Sequence, residues 1–225
     1  MALLLHIETA TKSCSVALSR NGVLISFKEE HTDKYIHSEK LTRHIETLIK
    51  TAGVSFEDLD AVSLSCGPGS YTGLRIGSST AKGLCFALSI PLISISTLEA
   101  YENCARLKGV KERVCIMIDA RRMEVYSRIS DLENGVIKKT SPDILDKKTY
   151  LEFDPFMAIG DGAEKMMQLW EHRQISYDLS IKLSAIGQVV LAYNKYLKKE
   201  TEHISEFEPN YIKEFMITPS KKSIN

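Results

Sequence analysis

The sequence predicts an α/β protein of two related lobes, each with a mixed β-sheet flanked by helices. Short apolar runs alternate with longer stretches that carry apolar residues at helical spacing, a pattern typical of sheets covered by helices. The dipeptide Asn-Gly, the strongest short signal for a β-hairpin, occurs at 21–22 and again at 134–135. We therefore expect a first lobe at residues 1–108, a second lobe at 109–210 and a tail at 211–225.

The first lobe opens with three predicted strands, at residues 3–8, 13–19 and 23–30, joined by tight turns. The next segment has the pattern of an amphipathic helix, which we expect Ser38 to cap and Gly53 to end. Its apolar stripe consists of Leu41, Ile45, Leu48 and Ala52, and His37 and His44 fall on the same side of the helix.

A stretch rich in glycine, residues 65–77, is the centre of the first lobe. An apolar run at 61–66 precedes it and predicts a buried strand, and a helix follows with Leu74, Gly77 and Ala81 on one face. Glycine inside a helix costs about 1 kcal/mol relative to alanine, so either a strand or a second chain is expected to pack closely there. The spacing matches neither the P-loop nor the dinucleotide fingerprint. A tight structural turn and a ligand-contacting loop both remain possible interpretations.

The rest of the chain continues the alternation of strands and helices. A strand at 91–96 and a helix at 97–107 complete the first lobe. The second lobe has predicted strands at 114–118, 124–130, 136–139 and 156–159, with irregular structure expected at 140–155. A long amphipathic helix is marked by Ile186, Val189, Val190, Tyr193 and Leu197.

Composition excludes several classes of protein. The 29 acidic and 29 basic residues cancel, and no long basic stripe is present, so a stand-alone nucleic-acid-binding protein is not expected. Five cysteines without a CxxC pair are typical of a reducing compartment. The longest uncharged run, 83–98, is too short for a membrane span, and the first residues lack a basic leader. We therefore expect a cytoplasmic protein that does not enter a membrane.

Several segments occur in an order that resembles the TsaB family, also called YeaZ. They are LLLHIETA, HSEKL, GPGSYTGLRIG, IPLISISTLEA, IDARRMEVY and PNYIK. The resemblance implies the two-lobed, ribonuclease H-like fold of actin, Hsp70 and sugar kinases. It also implies a non-catalytic subunit of the complex that forms N6-threonylcarbamoyladenosine in tRNA. Such a subunit serves as a platform for the catalytic subunit TsaD and the ATPase TsaE, and it reaches tRNA only indirectly.

The resemblance further implies that the helices after His37 and after Thr72 contact TsaD, or a second copy when the chain is alone. The residues expected at this interface are His37, Leu41, His44, Ile45, Leu48, Leu74, Gly77 and Ala81. On this interpretation, Leu41→Glu or Ile45→Glu would abolish pairing and leave the monomer folded.

No catalytic or metal-binding residues of its own are expected in this chain. TsaD-like proteins bind metal with an HxxxH pair, but Leu41 stands four residues after His37, and His44 is too far along a straight helix to share the ion. The place of the phosphate-binding hairpin, 8–12, lacks glycine, and Glu8 stands where the family more often has Asp. The alternatives are a stand-alone metallopeptidase (glycoprotease) or a kinase-like ATPase.

One further segment, 119–124, combines acids and arginines at the end of a predicted strand, where ligands usually approach such sheets. Asp119, Arg121 and Glu124, together with Arg75, are candidates for contact with tRNA or with ATP or ADP at the seam with the partner. An ordinary turn with surface ion pairs is the alternative.

Overall fold

The computed structural model describes residues 1–211 of the 225 and contains two five-stranded sheets. The first sheet has the order β3-β2-β1-β4-β5. β1 pairs antiparallel with β2 and parallel with β4, so the sheet is mixed, as predicted. Its strands are β1 (Leu3–Glu8), β2 (Ser13–Arg20), β3 (Val23–His31), β4 (Ala61–Ser65) and β5 (Leu92–Ile95).

Three helices belong to the first lobe: α1 (His37–Ala52), α2 (Tyr71–Leu88) and α3 (Thr97–Leu107). Gly53 ends α1 in the left-handed conformation, as predicted. Ser38 does not cap α1, because the helix already begins at His37 and its N-cap position is Ile36, which offers no side-chain acceptor. The Ser70 hydroxyl caps α2 by accepting a hydrogen bond from the Gly73 backbone N–H at 3.2 Å.

The second sheet has the order β10-β9-β6-β7-β8. Its strands are β6 (Arg113–Asp119), β7 (Glu124–Asp131), β8 (Gly135–Ile144), β9 (Phe156–Ile159) and β10 (Ile175–Tyr177). β8 runs well past the predicted end at 139, although this part of the sequence is polar. Lys138, Ser127 and Tyr150 all bond to the Asp143 carboxylate within 2.8 Å. Because these polar groups satisfy one another, the strand can continue.

The last described segment returns to the first lobe. After β10, helix α4 (Val189–Lys198) packs beside β5, and the Glu202 N–H donates to Leu92 O at 2.8 Å. Phe207 joins the core beneath α1 and α2, and the Asn210 N–H donates to Cys66 O. The lobe expected at 109–210 therefore contains a C-terminal stretch, residues 181–210, that packs with the first lobe. Apart from Tyr211, the predicted tail lies outside the described residues.

Candidate functional site

The glycines of segment 65–77 make room for other parts of the same chain. A Cβ atom on Gly67 would lie 2.5 Å from Asn210 O, and one on Gly69 would lie 2.4 Å from Ala10 O. On α2, a Cβ on Gly73 would lie 2.1 Å from Thr9 O, and one on Gly77 would lie 2.3 Å from Thr9 Oγ1. These distances are too short for any side chain. The close approach expected at these glycines is therefore made by the loop after β1 and by the C-terminal stretch, which favours the structural turn.

Gly83 is the exception on α2. Its Cβ position meets no atom within 4 Å, so nothing in the described part of the chain explains a glycine there. Ser79, Gly83 and Phe86 share one exposed face of the helix, and Phe86 is 81% exposed. We call these three residues the outer face of α2. It combines small residues that permit close approach with one large apolar side chain left in solvent.

The residues predicted to form a partner interface are instead inside the first lobe. Seven of the eight are at most 3% exposed and the eighth, Gly77, is also buried. The stripes of α1 and α2 pack on the chain's own sheet, so these side chains contribute to the core of the first lobe. Contact with a partner stays a prediction for these residues: His37, Leu41, His44, Ile45, Leu48, Leu74, Gly77 and Ala81. Because Leu41 and Ile45 are buried, Leu41→Glu or Ile45→Glu would place a charge in this core, so their burial does not fit the expectation that the monomer stays folded.

The two histidines of α1 have separate structural environments. His37 donates from Nε2 to Thr11 O at 2.8 Å, whereas His44 Nε2 lies 3.4 Å from Glu30 Oε1. Burial lowers the pKa of both imidazoles, which favours the neutral form. Within residues 1–211, no group of three His, Cys, Asp or Glu side chains is close enough to hold a metal ion.

Glu8, at the end of β1, is sealed inside the protein. It is 0% exposed and accepts hydrogen bonds from the Ala10 N–H at 2.8 Å, from the Ser65 hydroxyl and from Gln188 Nε2 at 3.3 Å. Burial raises the pKa of its carboxyl group to about 7, although these hydrogen bonds oppose the shift. Because Gln188 closes over the carboxylate, the residues here do not fit a nucleotide or metal that would have to reach Glu8.

The residues of segment 119–124 form the hairpin between β6 and β7. Asp119 Oδ1 accepts the Arg121 N–H at 2.6 Å, and the Glu124 N–H donates to Arg121 O at 3.1 Å. The hairpin therefore brings Asp119, Arg121 and Glu124 together. Arg75 lies in the other lobe, on α2, with its guanidinium 4.1 Å from the centre of the Tyr71 ring. The four candidates thus belong to two places rather than one site.

A cavity of about 330 Å³ between the lobes was not anticipated from the sequence. The first lobe lines it with Lys12, Ser13 and His31, and the second lobe with Asp161. Lys182, in the segment after β10, also lines it. Although Asp161 keeps contact with solvent, desolvation by the surrounding protein raises the pKa of its carboxyl group, and the nearby Asp119 carboxylate raises it further. The lining residues come from separate parts of the chain and carry no motif, so no local signal could have identified them.

Comparison with known proteins places this geometry in a fold class and then in a family. The family model described as TsaD, tRNA N6-adenosine threonylcarbamoyltransferase, matches residues 31–224. The TsaB protein of Haemophilus influenzae, named for tRNA threonylcarbamoyladenosine biosynthesis, is 28% identical over 93% of both chains. The structure of YeaZ from Pseudomonas aeruginosa superposes with a TM-score of 0.79 at 28% identity, covering 94% of this chain and 100% of that one.

A more distant structure shows the fold alone. Component A of (R)-2-hydroxyglutaryl-CoA dehydratase from Acidaminococcus fermentans is 9% identical and superposes with a TM-score of 0.51, covering 88% of this chain and 100% of that one. The fold is the two-lobed α/β fold of the actin, Hsp70 and sugar-kinase class, as the resemblance implied. The chain belongs to the family of the TsaD-type threonylcarbamoyltransferase model, in which its relatives are the TsaB (YeaZ) proteins.

None of the helices in residues 1–211 has the length and apolar character that crossing a membrane requires.

Proposed function

We propose that this chain is a non-catalytic subunit of the complex that forms N6-threonylcarbamoyladenosine in tRNA, as scaffold and activator of a TsaD-type catalytic subunit. Its family supports a role in this biosynthesis and a partner of that type. The observation that carries the scaffold role is the outer face of α2. There, no group in the described part of the chain packs against the Cβ position of Gly83, and Phe86 is left exposed. Such a face fits a close helix–helix contact with another subunit.

The contact surface on α1 differs from the one that the sequence suggested. The exposed side of α1 carries charged and polar residues, among them Glu39, Arg43, Glu46 and Lys50. Because α1 contacts α2, we propose that these residues supply the polar rim of a contact centred on Phe86, the arrangement found at protein interfaces. The same surface serves a homodimer when the catalytic subunit is absent. A TsaE-type ATPase, and ATP or ADP at the seam with the catalytic subunit, complete the proposed assembly.

A stand-alone metallopeptidase or kinase-like ATPase is the second candidate. Either activity needs an activated nucleophile, a metal-bound water or a phosphate cradle. His37 and His44 are committed to the core, and Glu8 is sealed by Gln188. These contacts support the subunit role. Metal content and ATP hydrolysis, measured on the pure chain and on its mixture with the catalytic subunit, separate the two candidates.

The decisive experiment is reconstitution of tRNA modification with the catalytic subunit, the ATPase and unmodified tRNA, with and without this chain. We expect modification only when the chain is present. Peptide or nucleotide turnover by the pure chain, with stoichiometric metal, would contradict the proposal.

Phe86→Glu tests the contact surface. Phe86 is 81% exposed, so the variant should fold with an unchanged melting temperature while association with the catalytic subunit weakens at least tenfold, because a charge would be buried at the contact. Val190→Glu is a matched control, since Val190 is 53% exposed on α4 and lies outside the proposed contact. Association is measured by calorimetry or light scattering. Equal affinities for the two variants would rule out the outer face of α2.

A further inference from the structure

The hairpin between β6 and β7 carries two consecutive arginines in a backbone conformation that disfavours them. Arg121 has φ +72° and Arg122 has φ +49°, both in the left-handed region. The turn between β2 and β3 has similar angles, +51° and +76°, but fills them with Asn21 and Gly22, which tolerate them well. A residue pair that strains the turn at this position indicates that the side chains themselves are needed.

Contacts from the rest of the second lobe hold the hairpin in this conformation. Asp119 accepts the Arg121 N–H, and the Asp119 N–H donates to Asp161 Oδ1 at 2.9 Å. Lys165 Nζ bonds to the Asp119 carboxylate, to Arg122 O at 2.6 Å and to Glu124 O at 3.2 Å. The Lys165 ammonium thereby neutralises Asp119, so this carboxylate does not cancel the charge of the arginines.

Both guanidinium groups are exposed and have no partner in the described part of the chain. Arg121 and Arg122 are exposed, and neither side chain makes an ion pair or hydrogen bond with any residue of 1–211. Neither residue lines the cavity between the lobes. The turn thus presents two positive charges at the exposed tip of a hairpin, whose backbone is held by these hydrogen bonds.

We propose that Arg121 and Arg122 bind phosphate groups, and that these belong to the RNA backbone of the tRNA substrate. This inference rests on the proposed function. The planar guanidinium forms paired hydrogen bonds with phosphate oxygens, whether the phosphate belongs to a free nucleotide or to an RNA backbone. A free nucleotide is normally enclosed in a concave pocket, whereas a nucleic-acid backbone is contacted by arginine and lysine side chains on the protein surface. Because both arginines are exposed and neither lines the cavity between the lobes, the tip favours RNA.

The test compares the Arg121→Asn/Arg122→Asn double variant with the wild-type chain, each assembled with the catalytic subunit. Asparagine tolerates positive φ, so the variant should melt no lower than wild type. We expect the Kd for unmodified tRNA to rise about tenfold or more, and the slope of log K against log salt to fall by about two. Lys147→Asn/Lys148→Asn is the control, because it removes two exposed charges elsewhere in the same lobe.

Three results would decide the matter. Weaker tRNA binding with unchanged nucleotide affinity supports the proposal. Unchanged tRNA binding with weaker nucleotide affinity overturns the assignment to RNA, and no change in either overturns the phosphate-binding tip. The proposed function fails separately, if the wild-type chain neither associates with the catalytic subunit nor supports modification.

Discussion

Glu8 shows how one buried residue can set the pH dependence of stability. The pKa of its carboxyl group is about 7 in the folded chain and about 4.5 when solvated, so the folded state holds the proton more tightly. This stabilisation is complete below pH 4.5 and is lost as pH rises through 7. The difference between the two pKa values corresponds to a change of about 3 kcal/mol in the free energy of unfolding between pH values below 4.5 and above 7. His6 acts in the opposite direction, because burial lowers its pKa to about 3 and its contribution is lost as pH falls below 6.5.

Glu8→Gln separates the two effects. The variant should retain the loss of stability at low pH that His6 causes, and should lose the decline between pH 5 and 8 that Glu8 causes. Denaturant unfolding at several pH values, for both chains, measures the difference. Glu164→Gln is the control, because Glu164 is exposed. Parallel curves for wild type and Glu8→Gln would show that Glu8 does not titrate near neutral pH.

Helix α2 shows, at the scale of one element, what a local pattern can and cannot predict. The sequence correctly predicted the helix and the close packing at Gly73 and Gly77, whereas Gly83, for which the same packing was expected, faces open space. Spacing shows which residues share a face, but it does not show whether that face meets the chain's own sheet or another subunit. Thr9 lies against Gly77 across a long sequence separation, so the contact left no local signal. The same limit explains why the stripe of α1 was assigned to a partner.

Alanine substitutions at two glycines of α2 should change the free energy of unfolding in opposite directions. Gly83→Ala should raise the free energy of unfolding of the free chain by about 1 kcal/mol, because alanine is the better helix former and its Cβ meets open space. Gly77→Ala should lower the free energy of unfolding, since its Cβ would lie 2.3 Å from Thr9 Oγ1. Chemical denaturation of both variants provides the measurement. A destabilised Gly83→Ala chain would mean that something in the free protein already covers this face.

At the scale of the whole molecule, the C-terminal stretch joins the second lobe back to the first. Gln188 Nε2 donates to Ile7 O and to the Glu8 carboxylate. Lys195 donates to Ser94 O, and Lys82 on α2 donates to Phe207 O at 3.1 Å. The sequence predicted two sheets and nine of the ten strands in residues 1–211, because periodicity and turn residues are local, but it missed β10, which has only three residues. It did not predict this return, since residues 181–210 follow the second lobe in the chain and only their tertiary contacts assign them to the first.

This return connects the C-terminal stretch to the proposed contact surface, because Phe207 is 8% exposed and packs in the core beneath α2. Phe207→Ala should destabilise the first lobe by about 3 kcal/mol, increase hydrogen exchange across Tyr71–Leu88 and weaken binding of the catalytic subunit. Phe156→Ala, a similar truncation of a residue 3% exposed in the second lobe, should cost as much stability and leave α2 and the association unchanged. If both variants weakened binding equally, the effect would reflect general loss of stability, and the C-terminal stretch would have no specific part in supporting α2.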